Sequence, residues 1–243
     1  MACKNSMFKL SDKFNNAGNN EADGWNSLDD FFSCLNGNVS YVVLRNFETL
    51  DHDVVSINHP DIDFLCLERE KFLSVSRSFP RGRPNDSVHR FVFISKKKIN
   101  VDVRCVGDGY YDSNWAKDIL KNRILYNDRF FVPSNIDYFY SLLYHVLIQK
   151  KIVSEDYIKR LGGMAQAINI PSSSVINLST LQAYMHKNHY YFTYPESPYT
   201  IANFENVDKE LIKRDTWRVF KRNIIALRIN IIHHITTLLW AKK

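Results

Sequence analysis

The sequence predicts an α+β protein, with a small mixed or antiparallel sheet at the head and a helical half behind it. Two observations point there. Residues 39–106 carry short runs of β-branched and aromatic residues broken by polar turns. Residues 112–187 switch to apolar residues at three- and four-residue spacing. The resulting organisation is a mobile polar tail over 1–24, a sheet-bearing head over 25–111, a helical half over 112–207 and a basic amphipathic helix over 208–243.

Within the head, Ser27 stands at a cap position before Asp29, Asp30 and the apolar Phe31, Phe32 and Leu35, which predicts a short helix ending near Asn36-Gly37-Asn38. Val39–Leu44 predicts a first strand that runs into Arg45-Asn46-Phe47-Glu48. A charged loop over 51–59 leads to Pro60, which biases His59 to an extended conformation and cannot sit inside a helix. From Ile62 the chain suits a second strand. Residues 68–79 predict a helix, with Phe72, Leu73 and Val75 apolar, and 80–87 a loop. Phe91–Ile94 and Ile99–Val106 predict a hairpin turning over Ser95–Lys98.

In the second half, a helix starts from Asp112. Pro133-Ser134 opens the clearest one, whose stripe is Ile136, Phe139, Tyr140, Leu143 and Val146/Leu147. Tyr138, Ser141, His145 and Gln149 fall on its other face, so His145 is expected outside the core, and Lys150-Lys151 closes the helix. A further helix runs from Ser154-Glu155-Asp156 to Gly162-Gly163, another covers 178–187, and the aromatic run 190–195 is extended.

Composition bounds the function. Hydrophobic content of 45% and charged content of 24% suit a globular protein with a proper core. Eight glycines, without a G-x-G-x-x-G or Walker run, exclude a glycine-rich phosphate loop. Cys3, Cys34, Cys66 and Cys105 are scattered, without zinc-type spacing. The first twenty residues lack the apolar core of a signal peptide, so a reducing cytoplasmic compartment is expected. The net charge of +6 gathers at the C-terminus, where Lys209, Lys213, Arg214, Arg218, Lys221, Arg222 and Arg228 alternate with Trp217, Phe220, Ile224 and Leu227. Charges interrupt every window of spanning length, so residues 209–243 are expected to lie along an anionic membrane surface, to pack on the domain as a final helix or to form a dimerising one. Nucleic acid is the least favoured partner, because no recognition motif accompanies the charge.

The chemistry-bearing stretch is Asp61-Ile62-Asp63. Alternate side chains of a strand share a face, so the two carboxylates stand together while Ile62 and Phe64 face the other way. Their repulsion is relieved by a hard divalent cation. In the second hairpin strand Ile99, Val101, Val103 and Cys105 share one face and Asn100, Asp102 and Arg104 the other. An aspartate in so apolar a strand is costly unless paired, which makes Asp102 a third candidate.

A strand ending at Leu44-Arg45, a second with Asp61 and Asp63, a third with Asp102 and a helical half resemble the nucleotidyltransferase superfamily of polymerase β and the minimal nucleotidyltransferases. The runs 41–48 and 59–65 look more particularly like a bacterial subgroup that accompanies surface-polysaccharide genes. The resemblance covers residues 39–160. It implies that Asp61, Asp63 and Asp102 ligate Mg²⁺ or Mn²⁺ and serve catalysis, with a nucleoside triphosphate as donor and a sugar phosphate or glycan as the favoured acceptor. The superfamily's Gly-Ser after the first strand reads Arg45-Asn46 here. Arg45 is expected to offer a fork of phosphate donors in its place. Asn46, Arg104, His145 and Lys150 complete the candidate substrate-binding set. Two alternatives stand beside it. One is a metal-dependent glycosyltransferase using a nucleotide-sugar, a design that usually carries a longer nucleotide-binding half before its Asp-x-Asp. The other is a non-catalytic module of the same fold that binds a membrane or a partner.

Overall fold

The structure, a computed structural model, describes residues 24–50, 61–82, 86–171, 175–197, 200–213, 215–220, 222–225 and 227. The N-terminal tail, the loop 51–60 with His59 and Pro60, and the end of the basic C-terminal segment lie outside the described residues. The protein is α+β, as its sequence predicts. It divides into two compact units, residues 1–104 with 124–132, and residues 105–123 with 133–243.

The first unit is built on a five-stranded sheet. Its strands are β1 (Tyr41–Val43), β2 (Asp61–Cys66), β3 (Phe79–Pro80), β4 (His89–Ile94) and β5 (Lys97–Cys105), in the order β1-β2-β5-β4-β3. Pairs β1–β2, β3–β4 and β4–β5 are antiparallel. The sheet is mixed, so β2–β5 is its parallel junction. That junction sets the two acidic strands side by side.

Helix α1 (Leu28–Asn38) is capped by Ser27, whose side chain accepts from Asp30 N. It ends at Asn38, within the Asn36-Gly37-Asn38 stretch that its sequence predicts. Its buried Phe31 and Phe32 join Tyr41, Phe64, Phe72 and Phe130 in an aromatic core, with Phe32 and Phe130 centred 4.5 Å apart and Phe64 and Phe72 4.9 Å apart. Helix α2 (Arg69–Ser76) stops earlier than expected, since Arg77 turns left-handed at φ 53° and the chain re-enters the sheet. Phe79 therefore begins β3 rather than ending the helix, and stacks on Phe91 across the β3–β4 pair.

The β4–β5 hairpin turns on Ser95 and Lys96 alone, at φ 49° and 63°, a tight turn whose twist matches its strands. Lys97 and Lys98, expected in the turn, are strand residues. A second hairpin, β6 (Ile124–Tyr126) with β7 (Phe130–Val132), belongs to the first unit although its sequence falls within the expected helical half. Asn127 and Asp128 form its turn with positive φ, and Arg129 ties it to α1 through Asp29 at 2.6 Å.

The second unit packs α3 (Ser113–Lys121), α4 (Asn135–Ile148), α5 (Glu155–Ala167) and α6 (Leu178–Lys187) around Trp115, Phe139, Tyr144 and Phe192. Asp112 and Ser134 cap α3 and α4. Helix α5 continues through Gly162-Gly163 to Ala167. Helix α4 corrects the sequence reading most. Tyr138, Ser141, His145 and Gln149, expected on the solvent side, are buried, whereas Ile136 is exposed. Neighbouring elements cover α4 on several sides, so its polar residues are inside and bonded. The run 190–195 is extended as expected, with Phe192 bridging to Ile212.

Candidate functional site

The alternation of β2 falls as its sequence predicts. Ile62 and Phe64 are buried, while Asp61 and Asp63 project from the other face and are only partly covered. On β5, Val101 and Val103 go into the core, and Asp102 and Arg104 share the face opposite. Asp61, Asp63 and Asp102 thus meet on one side of two adjacent strands. Side-chain exposure falls from 40% at Asp61 to 17% at Asp102 and 14% at Asp63, so the cluster opens to solvent at Asp61.

Two arginines form ion pairs on this face. Arg45, nearly buried at the end of β1, grips Asp63 with Nε at 2.9 Å from Oδ2 and Nη2 at 3.0 Å from Oδ1. The fork-to-carboxylate geometry gives two charge-assisted bonds with fixed direction. The side chain expected to meet phosphate is therefore engaged by a carboxylate of the Asp-x-Asp pair. The other arginine is Arg81, just past β3. Its Nη1 lies 3.5 Å from Asp61 Oδ1 and its Nη2 4.0 Å from Asp102 Oδ1, so one guanidinium spans two acids.

Asp102 is the electrostatic centre of the group. Burial, and then the negative charge of Asp63, push its carboxyl above the usual range, while Arg104, His89 and Arg81 pull it back. Its Oδ1 is buried and accepts no hydrogen bond among the described residues. A buried acceptor in that condition is costly and is rare in folded proteins. His89 stands directly across from Asp102 in the β4–β5 register, with its ring Nδ1 3.0 Å from the Asp86 carboxylate.

The donor set fits a hard divalent cation chemically, since it consists of carboxylate oxygens. Asp102 Oδ1 supplies a buried acceptor without a hydrogen bond among the described residues, 4.0 Å from Arg81 Nη2. Arg45 occupies two of the roughly four lone-pair positions of the Asp63 carboxylate and leaves the others open. Among the described residues, no three His, Cys, Asp or Glu side chains stand close enough to hold a metal as they are. The carboxylates would have to draw together, displacing Arg81.

The remaining predicted residues divide. Asn46 follows Arg45 in a left-handed conformation, φ 59°, that asparagine tolerates, and opens a short 3₁₀ turn over Phe47–Thr49. Arg104 is buried on β5 and acts on Asp102 through its charge. His145 and Lys150 belong to the second unit. His145 is a core residue with Nδ1 3.1 Å from Gln149 Oε1 and 3.4 Å from the Tyr110 hydroxyl, and Lys150 is exposed at the end of α4. Sequence reasoning missed Arg81 and His89. His89 was legible in principle: counting outward from a two-residue turn, Ile94 pairs with Lys97 and His89 reaches Asp102. Arg81 carries no comparable signal.

Comparison with known proteins finds no matching family model, no matching curated protein and no matching solved structure.

Proposed function

We propose that the acidic face of β2 and β5 is the site of a divalent-metal-dependent nucleotidyltransferase, which moves a nucleotidyl group from a nucleoside triphosphate to a hydroxyl or phosphate acceptor. The observation that carries this is the convergence of Asp61, Asp63 and Asp102 on one face, with Asp102 Oδ1 buried and without a hydrogen bond among the described residues. Asp61, Asp63 and Asp102 would hold Mg²⁺ or Mn²⁺. When bound, the cation neutralises triphosphate oxygens and favours in-line attack by the acceptor. Asp102 would act as the third ligand or as the base that receives the acceptor proton. Arg45 orients Asp63, and Arg81, once released from Asp61, is free to meet phosphate. A sugar phosphate or glycan is the favoured acceptor, and such an enzyme belongs in the cytoplasm, at the inner face of the membrane. No described helix is long and apolar enough to cross a membrane.

The test is calorimetric titration with ATP, CTP, GTP and UTP, with and without Mg²⁺, on the wild type and the Asp63→Asn variant. Metal-dependent binding of one triphosphate, lost in the variant, is the expected result. Binding of none by a folded protein overturns the proposal.

One observation favours a second reading. Arg45 already neutralises Asp63, and it stands where the superfamily keeps Gly-Ser. A non-catalytic module of the same fold would use that ion pair to stabilise its sheet. It would bind no triphosphate under any metal condition.

A further inference from the structure

The start of the C-terminal basic segment is described, and it presents an unusual face. Residues 216–220 and 222–225 are helical, and Asp215 begins the helix by accepting from Arg218 N at 2.9 Å. Trp217, Phe220, Ile224 and Leu227 are 71%, 55%, 37% and 60% exposed. Their spacing of three, four and three residues puts them in one row along the helix. Trp217 and Phe220 already stack, with ring centroids 5.8 Å apart.

This orientation is held from beneath. Arg218 Nη2 donates to Gly107 O at 3.0 Å. Arg222 donates to Pro195 O, Ser197 O and Thr200 O at 2.9, 2.7 and 2.7 Å. Four hydrogen bonds from two arginines fix the opposite side of the helix to its own unit. The apolar row is thereby turned outward. A helix with an ordinary amphipathic fate would turn that row inward.

The charge around the row identifies what it meets. Residues 213–228 hold six Lys or Arg and a single acid, Asp215. Arg218 and Arg222 are engaged on the anchored side, which leaves Lys213, Arg214, Lys221 and Arg228 to set the charge of the segment. A second copy of this chain is a poor match. The 3-4-3 spacing would make a coiled-coil seam, but the flanking sequence positions are Lys221, Asn223, Arg228 and Asn230, with no acid to pair across it. A bilayer rich in anionic lipid matches both features. Trp and Phe suit the headgroup boundary, and each basic residue near an anionic surface adds about 1 kcal/mol.

We propose that Trp217, Phe220, Ile224 and Leu227 form a membrane-docking face that seats the protein on anionic lipid. The proposal gives a surface to the location suggested above but rests on none of the carboxylate chemistry, so either can fail without the other.

The experiment is co-sedimentation of the full chain with vesicles of phosphatidylcholine and, separately, of phosphatidylcholine mixed with phosphatidylglycerol. Wild type should pellet with the mixed vesicles and stay in solution with the neutral ones. The double variant Trp217→Ser/Leu227→Ser should lose at least about tenfold in partitioning, since two exposed apolar anchors are removed without touching the core. Lys221→Glu/Arg228→Glu should lose a similar factor, and added salt should release the wild type. Equal behaviour with both vesicle types overturns the proposal, as does partitioning that neither variant changes. A dimer by light scattering that Trp217→Ser/Leu227→Ser dissolves also overturns it, by assigning the face to a second copy.

Discussion

Arg45 and Asp63 form a two-point ion pair, at 2.9 and 3.0 Å, with both side chains largely withdrawn from water. Removing one partner of such a pair leaves the other buried and uncompensated. Arg45→Ala should therefore cost about 3 kcal/mol in urea unfolding. Arg45→Ala/Asp63→Asn should recover much of that loss, because no bare charge remains. If the double variant is as unstable as the single one, the pair is not the cause.

The same pair competes with any cation for the Asp63 oxygens. Arg45→Ser should bind Mn²⁺ more tightly than the wild type, by calorimetry at neutral pH. Unchanged or weaker affinity would show that Asp63 is not a ligand.

Asp102 gives a prediction with a definite sign. Burial raises its proton affinity in the folded protein above the unfolded value. The neutral form is favoured by folding, so this residue's contribution is fully present below the unfolded value and is lost as pH rises through the folded one. At pH 7 the charged carboxylate is a liability. Asp102→Asn should raise the urea midpoint at pH 7, with the gain shrinking as pH falls towards 4. A variant both more stable and unable to bind nucleotide would mark Asp102 as kept for function.

These carboxylates were readable because a strand has a period of two, which survives any error in where the strand starts or ends. Asp61 and Asp63 share a face whatever the bounds of β2. Register is harder. Ser95 and Lys96 adopt left-handed conformations without the Asn-Gly or Gly that would announce them, so the hairpin turn looked two residues longer and His89 missed Asp102. Arg77 ends α2 in the same unannounced way. His145 was misplaced for another reason. A polar face signals solvent only when nothing covers it, and Tyr110 and Gln149 supply polar partners inside. The β6–β7 strands have three residues each, too few to show any period.

Gly109 is held by its surroundings. Its φ is +73°, and a Cβ there would run into the Tyr194 carbonyl and the Arg218 guanidinium. The backbone alone penalises a side chain by about 1–2 kcal/mol. Gly109→Ala should therefore lower the melting temperature well beyond what Gly37→Ala does, since nothing lies within 4 Å of a Cβ at Gly37. Equal effects would mean that neither the close approach nor the positive φ holds in solution.

Ser134 and Asp137 close the start of α4 on each other. Ser134 Oγ accepts from Asp137 N at 3.2 Å and donates to Asp137 Oδ2 at 2.7 Å. Asn122 and the Tyr184 hydroxyl reach the same carboxylate at 3.4 Å each. Burial nonetheless keeps the Asp137 carboxyl above its usual range, with these three bonds opposing it. Ser134→Ala should cost about 1 kcal/mol through the lost cap. Asp137→Ala should cost about 2 kcal/mol, because it strands several buried donors. Asp137→Asn should be milder at pH 7 than at pH 4, since the wild type buries more negative charge as pH rises and the amide avoids it. Urea unfolding of the three variants at both pH values separates the cap from the charge. An asparagine variant that is relatively worse at pH 7 would show that the native carboxylate is stabilised, not strained, by its site.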